Sequence, residues 1–191
     1  FTYDKSGNMV TIADQRGNTT TLVYDERSRV TEVRDALGKV RSMKYDAQDN
    51  VMEILDRLGR RTLKQYDALN RIATITYPDT TVTYTYDAAG RRTRIDDTES
   101  GFVAGSYDDA NRLLTETTPV GTVTYQYNTA SQRIATTVAH RGTINYGYDS
   151  AGRLQTIRKG HAVFTYRHDL LSRRTSLQRP NGVTTAYVYD A

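Results

Sequence analysis

Hydrophobic and polar residues alternate in short runs along this chain. The clearest run places Val82, Tyr84 and Tyr86 between threonines, and the runs that end at Tyr127 and Tyr148 repeat the pattern. Successive side chains of a β-strand point to opposite faces, so each run predicts a strand with one apolar and one polar face. This pattern is typical of an antiparallel sheet with one packed side.

A second kind of run has its apolar residues three positions apart, as in Val30 and Val33 or Val51 and Ile54. Strict alternation would place the two members of each pair on opposite faces, and either a β-bulge or a turn position for the first member would reconcile this spacing with a strand. Spacing of three also suits a helix, but no apolar stripe continues for the roughly ten residues that a helix needs. We therefore predict an all-β chain.

A tyrosine followed by aspartate recurs every 20 or 21 residues along the chain. The pairs are Tyr3-Asp4, Tyr24-Asp25, Tyr45-Asp46, Tyr66-Asp67, Tyr86-Asp87, Tyr107-Asp108, Tyr148-Asp149 and Tyr189-Asp190, with Tyr127-Asn128 and His168-Asp169 in the two gaps. A fixed period of this size indicates one supersecondary unit copied along the chain. We predict a single array of about nine repeats over residues 1–191, folded as an antiparallel β-meander with two strands per repeat.

Each repeat contains two positions that predict turns. The first, four residues after each tyrosine, holds Gly7, Ser28, Asp49, Asn70, Gly90, Asn111, Ser131, Gly152 and Ser172, mostly residue types that accept left-handed backbone angles. We expect the preceding aspartate to accept hydrogen bonds from backbone N–H groups two or three residues on. The second position holds Gly17, Gly38, Gly59, Gly101, Gly121, Gly142, Gly160 and Gly182, and Tyr77-Pro78-Asp79 replaces the glycine once.

The composition argues against a thick hydrophobic core, since 37% of the residues are hydrophobic and there are 15 Tyr, 3 Phe and no Trp. A single repeat then depends on its neighbours for burial and for ladder hydrogen bonds. About eighteen strands give roughly 85 Å of sheet at about 4.8 Å per strand. Because so long a ribbon has an apolar face to cover, we expect it to curl.

Charge and cysteine content narrow the range of functions. The net charge of +4 comes from arginines scattered along the chain, so we expect no nucleic-acid partner. The absence of cysteine excludes disulfides and cysteine metal sites. No apolar stretch approaches the roughly 18 residues of a membrane helix, so we predict no membrane span in this segment.

Three sets of residues are candidates for chemistry. Arginines five residues after the tyrosine form a column of Arg29, Arg71, Arg91, Arg112, Arg153 and Arg173, which we interpret as a solvated or aspartate-paired ladder in preference to an anion site. The spacing of the tyrosines fits side-chain packing on the apolar face of the sheet, and stacking of their rings against carbohydrate stays open as the alternative. His140, His161 and His168 lack metal-ligand spacing. We predict no enzyme activity and no catalytic, cofactor or metal residues.

The run Tyr148-Asp149-Ser150-Ala151-Gly152-Arg153-Leu154, followed by a glycine turn and the next repeat, resembles the Rhs or YD repeat. The resemblance covers the whole chain. The residues that carry it are Tyr24, Asp25, Tyr45, Asp46, Tyr66, Asp67, Tyr86, Asp87, Gly90, Arg91, Tyr107, Asp108, Tyr127, Tyr148, Asp149, Gly152, Arg153, Tyr189 and Asp190. Arg92, Arg133 and Arg174 stand where the family has leucine, which we interpret as ordinary repeat drift.

The resemblance implies a hollow β-shell that encloses a C-terminal toxin or effector domain before delivery, in a secreted or cell-surface bacterial protein. The implied partners are the remaining repeats, the toxin domain of the parent protein and its delivery system. The family's self-cleaving core carries an Asp-Pro motif, and Pro78, Pro119 and Pro180 do not follow aspartate here. We therefore expect a wall segment of a longer chain. The alternative is an adhesive or carbohydrate-binding surface array.

Overall fold

The computed structural model describes residues 1–190, which form β-strands joined by short turns. Ala191, the last residue of the predicted array, lies outside the described residues. The chain divides into two units, residues 1–101 and residues 102–191. Within the described part of the chain, no helix is long and apolar enough to cross a membrane.

The strands of the first unit follow one another in chain order. They are β1 (Thr2–Tyr3), β2 (Met9–Ala13), β3 (Thr19–Tyr24), β4 (Val30–Arg34), β5 (Val40–Tyr45), β6 (Val51–Leu55), β7 (Arg61–Tyr66), β8 (Ile72–Thr76), β9 (Thr81–Tyr86) and β10 (Arg92–Asp97). Each strand pairs antiparallel with the next one in the chain. The unit is therefore an antiparallel meander with two strands per repeat.

The second unit has the same organisation. Its strands are β11 (Gly101–Tyr107), which starts at the boundary, β12 (Leu113–Thr118), β13 (Gly121–Tyr127), β14 (Arg133–Val138), β15 (Gly142–Tyr148), β16 (Leu154–Lys159), β17 (Ala162–His168), β18 (Arg174–Gln178) and β19 (Thr184–Ala186). Consecutive strands again pair antiparallel. The prediction of an all-β meander is confirmed.

A β-bulge follows every first turn, which is one of the two arrangements that the spacing of three allows. Tyr24 pairs with Val30 and Leu22 pairs with Val33, while the register shifts by one residue between these pairs. Tyr24 and Leu22 lie two apart on one strand and share a face, so Val30 and Val33 share that face too. We call it the tyrosine face, and the same shift occurs in the other first-turn hairpins.

Both predicted turn positions have left-handed backbone angles. Along the first-turn column φ ranges from 58° at Asn70 to 84° at Gly7, and the second-turn glycines also have positive φ. Non-glycine residues occupy six of the nine first-turn positions in this conformation, and the short polar side chains of Asn, Asp and Ser tolerate it best. The prediction of the first-turn column is confirmed. In the second column Gly101, Gly121 and Gly142 are the first residues of β11, β13 and β15 and follow the turn directly.

Very little of either unit is deeply buried. Among the described apolar residues only Ile75 and Ala135 are buried, with exposed fractions of 8% and 6%. The expectation that no thick core forms is confirmed for the described residues. Strand pairing and turn contacts therefore carry an unusually large share of the stability in each unit.

Candidate functional site

The aspartate after each tyrosine organises the first turn. Asp149 Oδ1 accepts hydrogen bonds from the backbone N–H groups of Ala151 at 3.0 Å and Arg153 at 2.9 Å. The prediction of a donor two residues on is right, but the second donor is four residues on. The residue between them, Gly152, donates its N–H to the main-chain carbonyl of Asp149 at 2.9 Å and is not available to the side chain.

The arginine column pairs with these aspartates inside the turn. Asp149 Oδ2 accepts from Arg153 Nε at 2.7 Å, and the equivalent pairs are Arg29–Asp25, Arg71–Asp67, Arg91–Asp87, Arg112–Asp108 and Arg173–Asp169. The Arg29 side chain is the main cause that lowers the pKa of Asp25. The backbone N–H of Arg153 is the main cause that lowers the pKa of Asp149. The predicted aspartate-paired ladder is confirmed.

The tyrosine connects each repeat to the one before it. The Tyr148 hydroxyl donates to the main-chain carbonyl of Arg133 at 2.9 Å. The corresponding bonds run from Tyr24 to Met9, Tyr45 to Val30, Tyr66 to Val51, Tyr86 to Ile72, Tyr127 to Leu113 and Tyr189 to Arg174. Each acceptor lies six residues after the tyrosine position of the preceding repeat. The tyrosine therefore ties adjacent repeats through a backbone group, whatever side chain that position carries.

The arginine reaches in the opposite direction, toward the following repeat. Arg112 Nη1 donates to the main-chain carbonyl of Asn128 at 3.0 Å, and its guanidinium carbon lies 5.0 Å from the centre of the Tyr127 ring. Arg29 makes the same two contacts with Asp46 and Tyr45. We call this arrangement the latch. It consists of the tyrosine, the aspartate, the arginine or the amide residue that replaces it, and the contacts described above.

Amide side chains take the place of arginine in some repeats. Asn50 Nδ2 donates to Asp46 Oδ2 at 3.0 Å and to Asn70 Oδ1 in the next first turn at 3.1 Å. Gln132 Nε2 donates to the carbonyl of Gly152 at 2.7 Å. These substitutions preserve a forward hydrogen bond, so the latch does not require a positive charge.

Sequence reasoning missed that some second turns use the same chemistry. Asp56 Oδ1 accepts from the backbone N–H groups of Leu58 and Arg60, and Asp56 Oδ2 accepts from Arg60 Nε at 2.7 Å. Asp14 Oδ1 and Asp35 Oδ1 accept hydrogen bonds from backbone N–H groups of their own turns in the same way. The signal was present, because each of these turns has aspartate three residues before its glycine.

The carboxylates of the first turns are engaged in structure. An open cleft of about 630 Å³ lies between the turns at residues 46–50 and 67–70, and Asp46, Asp67, Lys64 and Tyr66 are among its lining residues. Both aspartates accept two backbone N–H bonds and a side-chain bond in their own turns. Residues 1–190 contain no group of three His, Asp or Glu side chains placed to hold a metal ion.

Two family models match the sequence. The teneurin YD-shell model matches residues 38–191. The RHS repeat model matches residues 3–40. The search of curated proteins gives no match.

Solved toxin structures share the fold at low sequence identity. The Tc holotoxin pore of Photorhabdus luminescens aligns with a TM-score of 0.62 and 16% identity over 93% of this chain and 13% of that chain. A TcdB2–TccC3–TEV crystal structure gives 0.67 and 18% over 94% and 12%. A TcdB2–TccC3 crystal structure without its hypervariable C-terminal region gives 0.63 and 15% over 97% and 11%. The present chain thus spans about an eighth of the length of these relatives.

Proposed function

Because the chain belongs to the teneurin YD-shell family, we propose that it forms part of the wall of a hollow β-shell. In this proposal the shell encloses a C-terminal toxin or effector region of the same polypeptide until delivery. The protein acts outside the cytoplasm of the cell that makes it, as a secreted or cell-surface protein. Its contribution is mechanical, and the array itself catalyses no reaction.

The latch is the observation that carries this proposal. Most repeats are tied backward by a tyrosine hydroxyl and forward by an arginine or amide side chain, as for Tyr127 and Arg112. Such contacts keep neighbouring strands in register although few side chains are deeply buried. A wall one sheet thick encloses the largest volume for a given number of residues, which suits a container.

The named relatives support the same function. One of the similar structures is described as lacking a hypervariable C-terminal region, so that protein normally carries a variable segment at its C-terminal end. We extend this arrangement to the polypeptide that contains the present array. The polar groups that recur in the array are engaged in its turns, which favours a structural role over an enzymatic one.

Limited proteolysis of the full polypeptide tests the proposal. We expect the C-terminal region to be digested at least about tenfold more slowly behind the intact array than after deletion of the array, because protease reaches it only when the wall opens. A glycine inserted into the first turns at residues 87–91 and 149–153 opens the wall and speeds digestion. The matched control has a glycine inserted between Pro119 and Val120. Equal digestion of the C-terminal region with and without the array refutes the proposal.

Carbohydrate binding is a second candidate function, favoured by tyrosine rings that are half-exposed on the sheet, such as Tyr84, Tyr146 and Tyr166. Aromatic rings of this kind stack against sugars. Titration of the chain with neutral oligosaccharides, followed by tyrosine fluorescence, tests it. Saturable binding that is lost in Tyr146→Ala and kept in Thr143→Ala supports this function, and no change in fluorescence excludes it for the sugars used.

A further inference from the structure

Three arginines lie six residues after the tyrosine position, one residue beyond the arginines of the latch. They are Arg92, Arg133 and Arg174, and they are separated by 41 residues each time. Leu113 and Leu154 hold the same position in the repeats between them. Arginine and leucine therefore alternate here with a period of two repeats. The interpretation of these three arginines as ordinary repeat drift does not account for such a period.

Strand pairing puts these side chains on the tyrosine face. In the second unit Arg133 pairs with Tyr127, and Arg174 pairs with His168, which holds the tyrosine position of its repeat. The guanidinium carbon of Arg133 lies 5.0 Å from the centre of the Tyr146 ring and 5.7 Å from that of Tyr125. That of Arg174 lies 4.4 Å from the Tyr187 ring. The rings hold both guanidinium groups in place.

Neither guanidinium has a carboxylate partner among residues 1–190. The latch arginines of the same unit, Arg112, Arg153 and Arg173, all form ion pairs with aspartate, whereas Arg133 and Arg174 form none. Stacking uses the flat side of a guanidinium and leaves its in-plane N–H donors free, in the geometry that receives a carboxylate with two hydrogen bonds. Both arginine side chains are exposed.

The remaining charges of this face favour an acidic partner. Lys159 pairs with Ile144 and also lies on the tyrosine face, where it is exposed. Glu116, which pairs with Val123, is the acidic side chain on the strands of this face. Three positive charges against one negative charge make the face complementary to anionic groups.

We propose that the tyrosine face of the second unit binds acidic segments of an extended polypeptide, with aspartate or glutamate carboxylates received by Arg133 and Arg174. The inference rests on the proposed function, since the occupant is the polypeptide that the shell encloses. β14 and β18 are four strands apart, or about 19 Å at about 4.8 Å per strand. An extended peptide of about six residues covers that distance. The half-exposed rings of Tyr146 and Tyr166 lie between the two arginines and pack against its apolar side chains.

Peptide binding to the whole chain tests the inference. The probe is a fluorescent peptide of about twelve residues in which glutamate alternates with glycine, and the reference peptide has glutamine in place of glutamate. We expect fluorescence anisotropy to show at least about tenfold tighter binding of the glutamate peptide, because charge-assisted hydrogen bonds are about twice as strong as neutral ones. Equal binding of the two peptides overturns the proposal.

A matched pair of double variants locates the binding. Arg133→Gln with Arg174→Gln should weaken binding of the glutamate peptide at least about tenfold. The control, Arg158→Gln with Arg167→Gln, removes the same charge from the opposite face of the same unit, because Arg158 pairs with Asn145 and Arg167 with Ser176. This control should change the affinity by less than about twofold. Equal weakening in both variants means non-specific attraction and overturns the proposal.

Two further measurements keep the test decisive. Arg133→Lys with Arg174→Lys keeps the charge but loses the planar stacked group, so we expect weaker binding than wild type, and wild-type affinity overturns the role of stacking. This variant carries the test if the glutamine variant fails to fold. Tighter binding of an oligogalacturonate with the same number of carboxylates would assign the face to acidic carbohydrate instead. Failed peptide binding with intact protease protection of the C-terminal region overturns this inference alone.

Discussion

First turns and second turns differ in how strictly their length is kept. Every first turn of the described chain has five residues between its strands, whereas the second turns range from two residues at 119–120 to five at 14–18. The first turns contact one another through the latch. Between second turns such contacts are sparse, and the pair of Arg57 Nε and Asp35 Oδ2 at 3.4 Å is one example.

The difference shows that the register between repeats is set at the strand ends that the first turns connect. A tyrosine hydroxyl reaches a carbonyl six positions into the previous repeat only when the first turn has its full length and its bulge follows. A second turn reverses the chain at the opposite ends of the same strands, where several lengths satisfy the backbone. Length is therefore constrained by contacts between repeats and also by the turn's own hydrogen bonds, because the second turns that begin at Asp14, Asp35 and Asp56 share the aspartate chemistry and also have five residues.

Inserting one residue gives the largest expected effect. A glycine inserted after Ala151, in the first turn at residues 149–153, displaces the Arg153 N–H donor of Asp149 and the Arg153 contact with the next repeat, and should cost about 3 kcal/mol. A glycine inserted after Val120 only lengthens a second turn and should cost less than about 0.6 kcal/mol. Urea unfolding measures the free energy of unfolding of both variants. Equal losses would show that first turns and second turns are equally constrained.

A β-branched residue at the left-handed position gives the next largest effect. Gly90 has φ of 80°, and a Cβ there would meet Arg71 Nη1 at an ordinary 3.7 Å. Gly90→Val therefore acts through backbone strain, and we expect a loss of about 1–2 kcal/mol. Ala89→Val, one residue earlier, is the control and should change stability by less than about 0.5 kcal/mol. Identical denaturation midpoints for the two variants would contradict this assignment.

Removing one tyrosine hydroxyl tests the backward contact. Tyr86→Phe removes the hydrogen bond to the Ile72 carbonyl, which is 2.9 Å long, and should destabilise the chain by about 1 kcal/mol. Tyr84→Phe on the same strand removes a hydroxyl that has no hydrogen-bond partner among the described residues, and its effect should be under about 0.5 kcal/mol. Thermal unfolding of the two variants side by side provides the measurement. A larger loss for Tyr84→Phe would argue against the latch.

A fall in pH should produce a smaller change in stability, for the one aspartate considered, than the substitutions above. The backbone N–H of Glu99 is the main cause that lowers the pKa of Asp97 from 3.8 to about 2, with the Thr80 hydroxyl next. Folding lowers this pKa, so the folded chain binds fewer protons than the unfolded chain, and stability is lost as the pH falls from about 3.8 through about 2. Urea midpoints measured across that range should fall less steeply in Asp97→Asn. An unchanged slope would show that this carboxylate does not contribute.

The sequence predicted the features that depend on local chemistry. Turn positions followed from residues that accept positive φ, such as Gly90 and Ser131, and the bulge was one of two arrangements that apolar residues three apart allowed. The acceptor of each tyrosine hydroxyl was not predictable, because every residue has a backbone carbonyl and the residue type therefore does not show which carbonyl accepts the hydrogen bond. The stacking of Arg133 on Tyr146 also needed the pairing of β14 with β15, which determines the neighbours of a side chain across strands.

The uniform first turn has a consequence for how the chain finds its fold. Because Tyr45, Tyr66 and Tyr86 all bind the same kind of carbonyl at the same offset, the latch of one repeat fits the repeat after next almost as well as its own neighbour. A refolding chain can therefore skip a repeat and leave about twenty residues looped out. Contacts that differ between repeats, such as the hydrogen bond between Asn50 and Asn70, stabilise the correct pairing of repeats over the pairings that skip a repeat.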